Sequence, residues 1–222
     1  MSHSNVRVAG IVGIVTGLLG ALAGIWLALV PPSVESEQFS YPLEAPAFVA
    51  LQLAFVVQHV GLIVVVAGLA AAGVIGTRTG RVALVATIVS LVALTILEVV
   101  ACFAAESLVA SAEVDILYSA YGVVTVAIGA AAIVLGVSVA RSSVWRGWRR
   151  WTALIVGVYA FVPLMPLMVA SYEAARYAIG GWMLAFALLG LALFTAPAPR
   201  SDGSHSSSSE RVDAASSPIG TR

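Results

Sequence analysis

The sequence contains no lysine, so its 11 basic residues are all arginines. Without lysine the chain has no Schiff-base nucleophile, no lysine-linked chromophore and no P-loop of the usual type. Cys102 is the only cysteine, which excludes an intrachain disulfide and a CxxC redox pair. The sequence also has no HExxH motif, no GxSxG motif and no cluster of metal ligands. We therefore expect no metal, no cofactor and no enzymatic activity.

Charge of either sign is scarce. Charged residues make up 10% of the 222 residues, hydrophobic residues make up 60%, and the mean hydropathy is +1.02. A typical soluble domain carries about 25% charged residues. A water-soluble fold of this size leaves too much surface exposed to hide so much apolar material. The solvent for most of the chain must be lipid.

Six apolar stretches are long enough to cross the hydrocarbon core as helices, which takes about 20 residues each. The sequence therefore predicts an all-α fold, a bundle of six transmembrane helices within residues 1–196. The predicted spans are about 8–30, 47–76, 82–107, 116–140, 151–172 and 177–196. Residues 197–222 are serine-rich without an apolar pattern, so we predict a disordered cytoplasmic tail.

The loops between these spans are alternately basic and acidic. In the six-span arrangement, ten of the eleven arginines fall on one side, and Arg176 is the exception. The positive-inside rule makes that side the cytoplasm. We therefore expect a plasma-membrane protein with both termini in the cytoplasm. Tyrosines near the outer ends of the spans, including Tyr118, Tyr121 and Tyr172, are expected to anchor the helices at headgroup level.

The first span carries glycines at alternating spacings of three and four residues, so that they share one helical stripe: Gly10, Gly13, Gly17, Gly20 and Gly24. Glycine lets another helix approach closely and gain packing contacts that lipid does not supply. We expect this stripe to pack against a helix of the same bundle or across a homo- or hetero-oligomer. Gly190 lies outside the stripe and is expected to tolerate a larger side chain better.

Two ionisable residues lie deep in the predicted spans. At 1.5 Å per residue, His59 lies about 18 Å and Glu98 about 14 Å below the outer ends of their helices. Gln52 shares a face with His59, and Cys102 shares a face with Glu98. These four residues form a candidate intramembrane polar site. It is either a proton, cation or polar-substrate site, or a neutral hydrogen-bonded lock between two helices.

The fifth span contains Pro163 and Pro166, each of which removes a backbone hydrogen bond. The freed carbonyls belong to Tyr159 and Val162. Such a break builds ion sites in some transporters, whereas a plain kink covered by neighbouring helices is more common.

The loop before the fifth span combines arginines with tryptophans, in the sequence RSSVWRGWRRW. We expect it to contact anionic lipid headgroups through Arg141, Arg146, Arg149 and Arg150. We do not expect it to bind nucleic acid, because it is one short juxtamembrane turn without a fold around it.

Two classes of function remain open. The glycine stripe and the arginine loop favour a structural, assembly or regulatory component of the membrane. The alternative is a small transporter or channel component that uses Glu98 and His59. Three spans carry no charged residue, and the spans together contain few polar residues. The sequence therefore favours a structural, assembly or regulatory component over a transporter. It does not specify a molecular activity.

Overall fold

The computed structural model of the protein describes residues 3–196, and within them it is all-helical apart from one isolated β-bridge. Six spans are long and apolar enough to cross a membrane. The fifth span, Gly147–Met168, is irregular and contains a 3-10 turn, two short α-helices and a π-helical turn. The helices are α1 (His3–Leu29), α2 (Ala45–Ala71), α3 (Arg78–Phe103), α4 (Ala112–Arg141), α5 (Thr152–Tyr159), α6 (Met165–Met168) and α7 (Tyr172–Phe194). The predicted tail, 197–222, lies outside the described residues.

Three spans end four or five residues earlier than the apolar stretches that predict them, and the fifth of the six spans is one of these, since it ends at Met168 instead of residue 172. α2 ends at Ala71 instead of residue 76, and Gly73 follows with φ +68°, a left-handed conformation that terminates a helix. α3 ends at Phe103 instead of residue 107. The first residues after each of these two helices, Ala72 after α2 and Ala104 and Ala105 after α3, are apolar, so hydropathy does not mark the helix end.

The spans form a ring in which each packs against its neighbours in sequence, and α7 closes the ring by packing along α1. A Cβ on any glycine of the α1 stripe would lie close to an atom of α7: at Gly17 it would be 2.6 Å from the backbone nitrogen of Ala187. The stripe is therefore covered by the last helix of the same chain. The expectation for Gly190 is wrong, because its Cβ would lie 2.6 Å from the backbone nitrogen of Ile14 on α1.

Large apolar side chains cover the outside of the ring. Leu22, Val57, Val89 and Val123 are each at least 60% exposed although they lie in the middle of helices. An apolar surface on every span is unfavourable in water and favourable in hydrocarbon. The fold is that of an integral membrane protein with lipid around the bundle.

The two ends of the bundle carry opposite charges. One end, here called the basic end, carries Arg7, Arg78, Arg81, Arg141, Arg146, Arg149 and Arg150. Its parts contact one another: Arg149 Nε donates a 3.1 Å hydrogen bond to Thr195 Oγ1. The other end, the acidic end, carries Glu35, Glu37, Glu44, Glu106, Glu113, Asp115 and Glu173.

Two loops of the acidic end pair with each other. Gln38 and Leu108 form an antiparallel β-bridge. On either side of it, Phe39 N donates to Ser107 O at 2.9 Å and Val109 N donates to Glu37 O at 2.7 Å. This pairing holds the loop after α1 against the loop after α3.

Candidate ligand-binding cavity

A cavity of about 760 Å³ lies inside the ring at the acidic end. All six spans contribute to its wall, and the loop residues 39–43 contribute to its rim. Towards the basic end the interior is filled by buried apolar side chains, including Leu62, Val65, Leu69 and Phe186. The volume falls in the usual range for small-molecule sites, about 300–1,000 Å³.

Glu98 on α3 is the acidic side chain of this cavity wall. It is 8% exposed, and the Tyr121 hydroxyl on α4 donates a 3.0 Å hydrogen bond to its Oε2. His59 Nδ1 on α2 lies 3.9 Å from Glu98 Oε1, too far for a direct hydrogen bond. The Gln52 side chain, also buried, interacts with both Glu98 and Tyr121. Three helices therefore bring four polar side chains to one place.

His59 and Glu98 meet although they lie at different depths in their helices. Because α3 ends at Phe103, Glu98 is about 8 Å from that end, whereas His59 is about 21 Å from the start of α2 at Ala45, at 1.5 Å per residue. Side chains tilt towards the N-terminus of their own helix. In this antiparallel pair, His59 therefore tilts towards the acidic end and Glu98 tilts away from it, which brings their tips together.

Three residues of the cavity wall have a buried polar atom without a hydrogen-bond partner. Within the described residues these atoms are His59 Nδ1, Ser40 Oγ and the Tyr172 hydroxyl oxygen. His59 is 6% exposed and Ser40 is fully buried. A buried polar group left unpaired costs about 1–3 kcal/mol.

The structure does not bring Cys102 into this site. Its Sγ donates a 3.4 Å hydrogen bond to the backbone oxygen of Glu98, on its own helix. It lines a separate shallow groove together with Phe103 and Glu106. Four residues along a helix is a rotation of about 400°, so Cys102 is turned some 40° away from Glu98. That turn is enough to take it out of the cavity.

Sequence reasoning missed two residues of the site. Tyr121 was expected to anchor a helix at headgroup level, but its hydroxyl is bonded to Glu98. Arg176 on α7 lines the cavity, and its guanidinium lies over the Tyr172 ring at 4.8 Å from the centroid. A signal for Arg176 was available: it is the one arginine that departs from the positive-inside pattern.

Aromatic rings cover the mouth of the cavity. The Phe39 ring, in the loop after α1, packs 5.5 Å from the Phe48 ring and 5.6 Å from the Tyr118 ring. The Tyr41 ring packs 5.1 Å from the Tyr172 ring at the start of α7. This loop, residues 37–43, is here called the rim loop. It is joined to three spans by ring contacts and to the loop after α3 by the β-bridge.

The prolines of the fifth span widen the helix without ending it. Pro163 lies in the π-helical turn Ala160–Leu164, and Met165 N donates to the carbonyl of Ala160, five residues back. The helix then continues through Pro166 to Met168. Leu164, Met165 and Met168 line the cavity, so the π-turn shapes one wall of it. π-turns are frequent at functional sites.

The arginine loop lies at the far end of the molecule from the cavity. Arg149 lies over the Trp148 ring at 5.5 Å and Arg150 over the Trp151 ring at 4.8 Å. Arg141 ends α4, and Arg146 directly precedes the 3-10 turn Gly147–Trp151. Contact of these side chains with lipid headgroups stays a prediction.

Comparisons of the chain with protein-family models, with curated proteins and with solved structures gave no match. Within residues 3–196, no three histidine, cysteine or acidic side chains come together as a metal site would require. The function must be inferred from the residues of the cavity.

Proposed function

We propose that this protein binds a small organic solute in the cavity at its acidic end, as the substrate site of a small membrane transporter. The observation that carries the proposal is the cavity itself: about 760 Å³ inside a membrane-spanning ring, with buried Glu98, His59 and Gln52 in its wall. Ionisable side chains within membrane spans are rare and typically mark substrate or ion pathways.

A purely structural role for Glu98 and His59 fits the geometry less well. Two side chains that only lock α2 to α3 would be expected to bond directly, but His59 Nδ1 and Glu98 Oε1 are 3.9 Å apart. A cavity also forfeits packing, at about 24 cal/mol for each Å³ in a protein core. A bundle that needed only to hold itself together would gain by filling this space.

An assembly role for α1 would need its glycine stripe to be available to another protein. The glycine stripe of α1 lies against α7 of the same chain, so it is not free to receive a partner. We therefore favour the transporter class over the assembly class that the sequence favoured.

The charges support one orientation in the membrane. Seven arginines lie at the basic end, and the acidic end carries seven acidic side chains. By the positive-inside rule the basic end is cytoplasmic, beside the anionic headgroups of the inner leaflet of the plasma membrane. The cavity then opens towards the outside of the cell.

A cavity-filling substitution tests the proposal. Gly122 lines the cavity, and a Cβ on it would meet nothing within 4 Å, so Gly122→Phe adds bulk to the cavity without forcing helices apart. The neighbouring Val123 is 70% exposed on the outside of α4, so Val123→Phe is the matched control. The full chain is purified in native lipid and its bound small molecules are identified by mass spectrometry.

We expect wild type and Val123→Phe to retain a solute that Gly122→Phe lacks, with all three proteins folded. Equal retention by all three would place the solute outside the cavity and overturn the proposal. A wild-type protein without solute but with a stoichiometric protein partner would restore the assembly class.

A further inference from the structure

Resting on this proposed function, we propose that the cavity takes an amino-acid-like zwitterion with an apolar side chain, its ammonium group at Glu98 and its carboxylate at Arg176. The inference concerns the class of ligand. It depends on two oppositely charged side chains, Glu98 and Arg176, that line the same cavity.

Glu98 and Arg176 line the same cavity without forming an ion pair with each other. Among the described residues, Arg176 is the only lysine or arginine side chain at the acidic end. Opposite charges around a partly buried space attract strongly when water is excluded. A ligand that carries both charges pairs with each of them at once.

Each charge is held so that it has binding capacity left. Tyr121 binds Oε2 of Glu98, while Oε1 makes no hydrogen bond to His59 at 3.9 Å. An ammonium group carries three donors and a positive charge, which match the carboxyl group of Glu98 in the cavity wall. Stacking on the Tyr172 ring orients the planar guanidinium of Arg176, whose edge matches a carboxylate.

The rest of the wall suits an apolar body. Most of it is apolar or aromatic, with Phe48, Phe55, Trp182 and Met183 among its residues.

Other ligand classes fit less well. A simple anion would be repelled by Glu98 and a simple organic cation by Arg176. A hard metal cation requires six or more oxygen ligands, and one carboxylate does not supply them.

The test uses three forms of one probe: phenylalanine, which is a zwitterion, its carboxamide, which is a cation, and its N-acetyl derivative, which is an anion. Binding to the full chain in lipid nanodiscs is measured by calorimetry. We expect the zwitterion to bind at least about 10-fold more tightly than either analogue, because each analogue leaves one charge-assisted contact unmade.

Two variants test the contacts of the ligand's ammonium group and of its carboxylate group separately. Glu98→Gln still accepts the Tyr121 hydrogen bond, and it should remove the advantage of phenylalanine over the N-acetyl anion. Arg176→Gln changes a partly buried side chain, and it should remove the advantage of phenylalanine over the carboxamide. Glu173→Gln neutralises an exposed charge on the same helix as Arg176, and it should leave the ranking unchanged.

Equal binding of phenylalanine and the carboxamide in wild type would overturn the inference, as would an unchanged ranking in both cavity variants. No binding of any probe at millimolar concentration would overturn it too. If wild type nevertheless retains a native solute that Gly122→Phe loses, the zwitterion inference alone falls. If it retains none, the proposed function falls with it.

Discussion

The Tyr121 hydroxyl donates a 3.0 Å hydrogen bond to Glu98 Oε2 and so joins α4 to α3 inside the ring. The bond occupies one carboxyl oxygen and leaves the other facing His59 and the cavity. Glu98 therefore combines a contact that joins two helices with an acidic group in the cavity wall, and substitutions can separate the two.

Glu98→Gln should give a folded protein that no longer retains the solute, because the amide oxygen still accepts from Tyr121 while the acidic group is gone. Glu98→Leu removes the acceptor of the Tyr121 hydrogen bond and should lower stability by about 1–3 kcal/mol. Thermal unfolding in detergent and mass spectrometry of the retained solute measure the two effects. If Gln were tolerated in both measurements, Glu98 would be only a lock between helices.

Gly17→Ala should lower stability by about 1–3 kcal/mol, the usual cost of overpacking. Its Cβ would lie 2.6 Å from the nitrogen of Ala187 and 2.7 Å from the oxygen of Met183, both backbone atoms that cannot rotate away. Gly76→Ala is the control, since its Cβ would meet nothing within 4 Å. Equal unfolding temperatures for the two variants would show that α1 and α7 do not pack through this stripe.

Cysteines at positions 38 and 108 should form a disulfide in a Cys102→Ala background. Gln38 and Leu108 form the non-hydrogen-bonded pair of the β-bridge, where Cα atoms are about 4.5 Å apart. Cysteines at positions 37 and 108 are the control, because successive side chains point to opposite faces. Gel mobility with and without reductant measures the bond. A control that crosslinks as readily would show that the loops are not paired in this register.

A reporter that is active only outside the cytoplasm should work when fused after Glu44, Glu113 or Tyr172. It should be inactive after Arg81, Arg150 or Arg200. The expectation follows from arginine-rich loops remaining in the cytoplasm. Activity after Arg150 would overturn the proposed orientation of the six spans.

The six spans were predictable because a helix that crosses a bilayer requires a long apolar run, and the sequence contains no such run outside these spans. Helix ends were less predictable. α3 ends at Phe103, but Ala104 and Ala105 follow it, and hydropathy does not distinguish these two residues from helix. The error of four residues changed the expected depth of Glu98 but not the face of the helix on which it lies.

The polar partners of Glu98 were only partly readable from the sequence. His59 could be expected nearby, because α2 and α3 are consecutive antiparallel helices. Tyr121 could not, since pairing it with Glu98 requires knowing how α4 is rotated against α3. Arg176 comes from α7, which reaches the cavity only because the ring closes. Such contacts depend on the tertiary arrangement and leave no spacing signature.

The closure of the ring by α1 and α7 also sets an order of events in biosynthesis. Because α1 precedes α7 in the chain, the glycine face of α1 contacts α7 only after α7 has also entered the membrane. Until then the glycine stripe of α1 contacts lipid, and the cavity around Glu98 lacks the part of its wall that α7 contributes. The cavity is therefore complete only after α7 has entered the membrane, so a chain that stops before α7 lacks part of its wall.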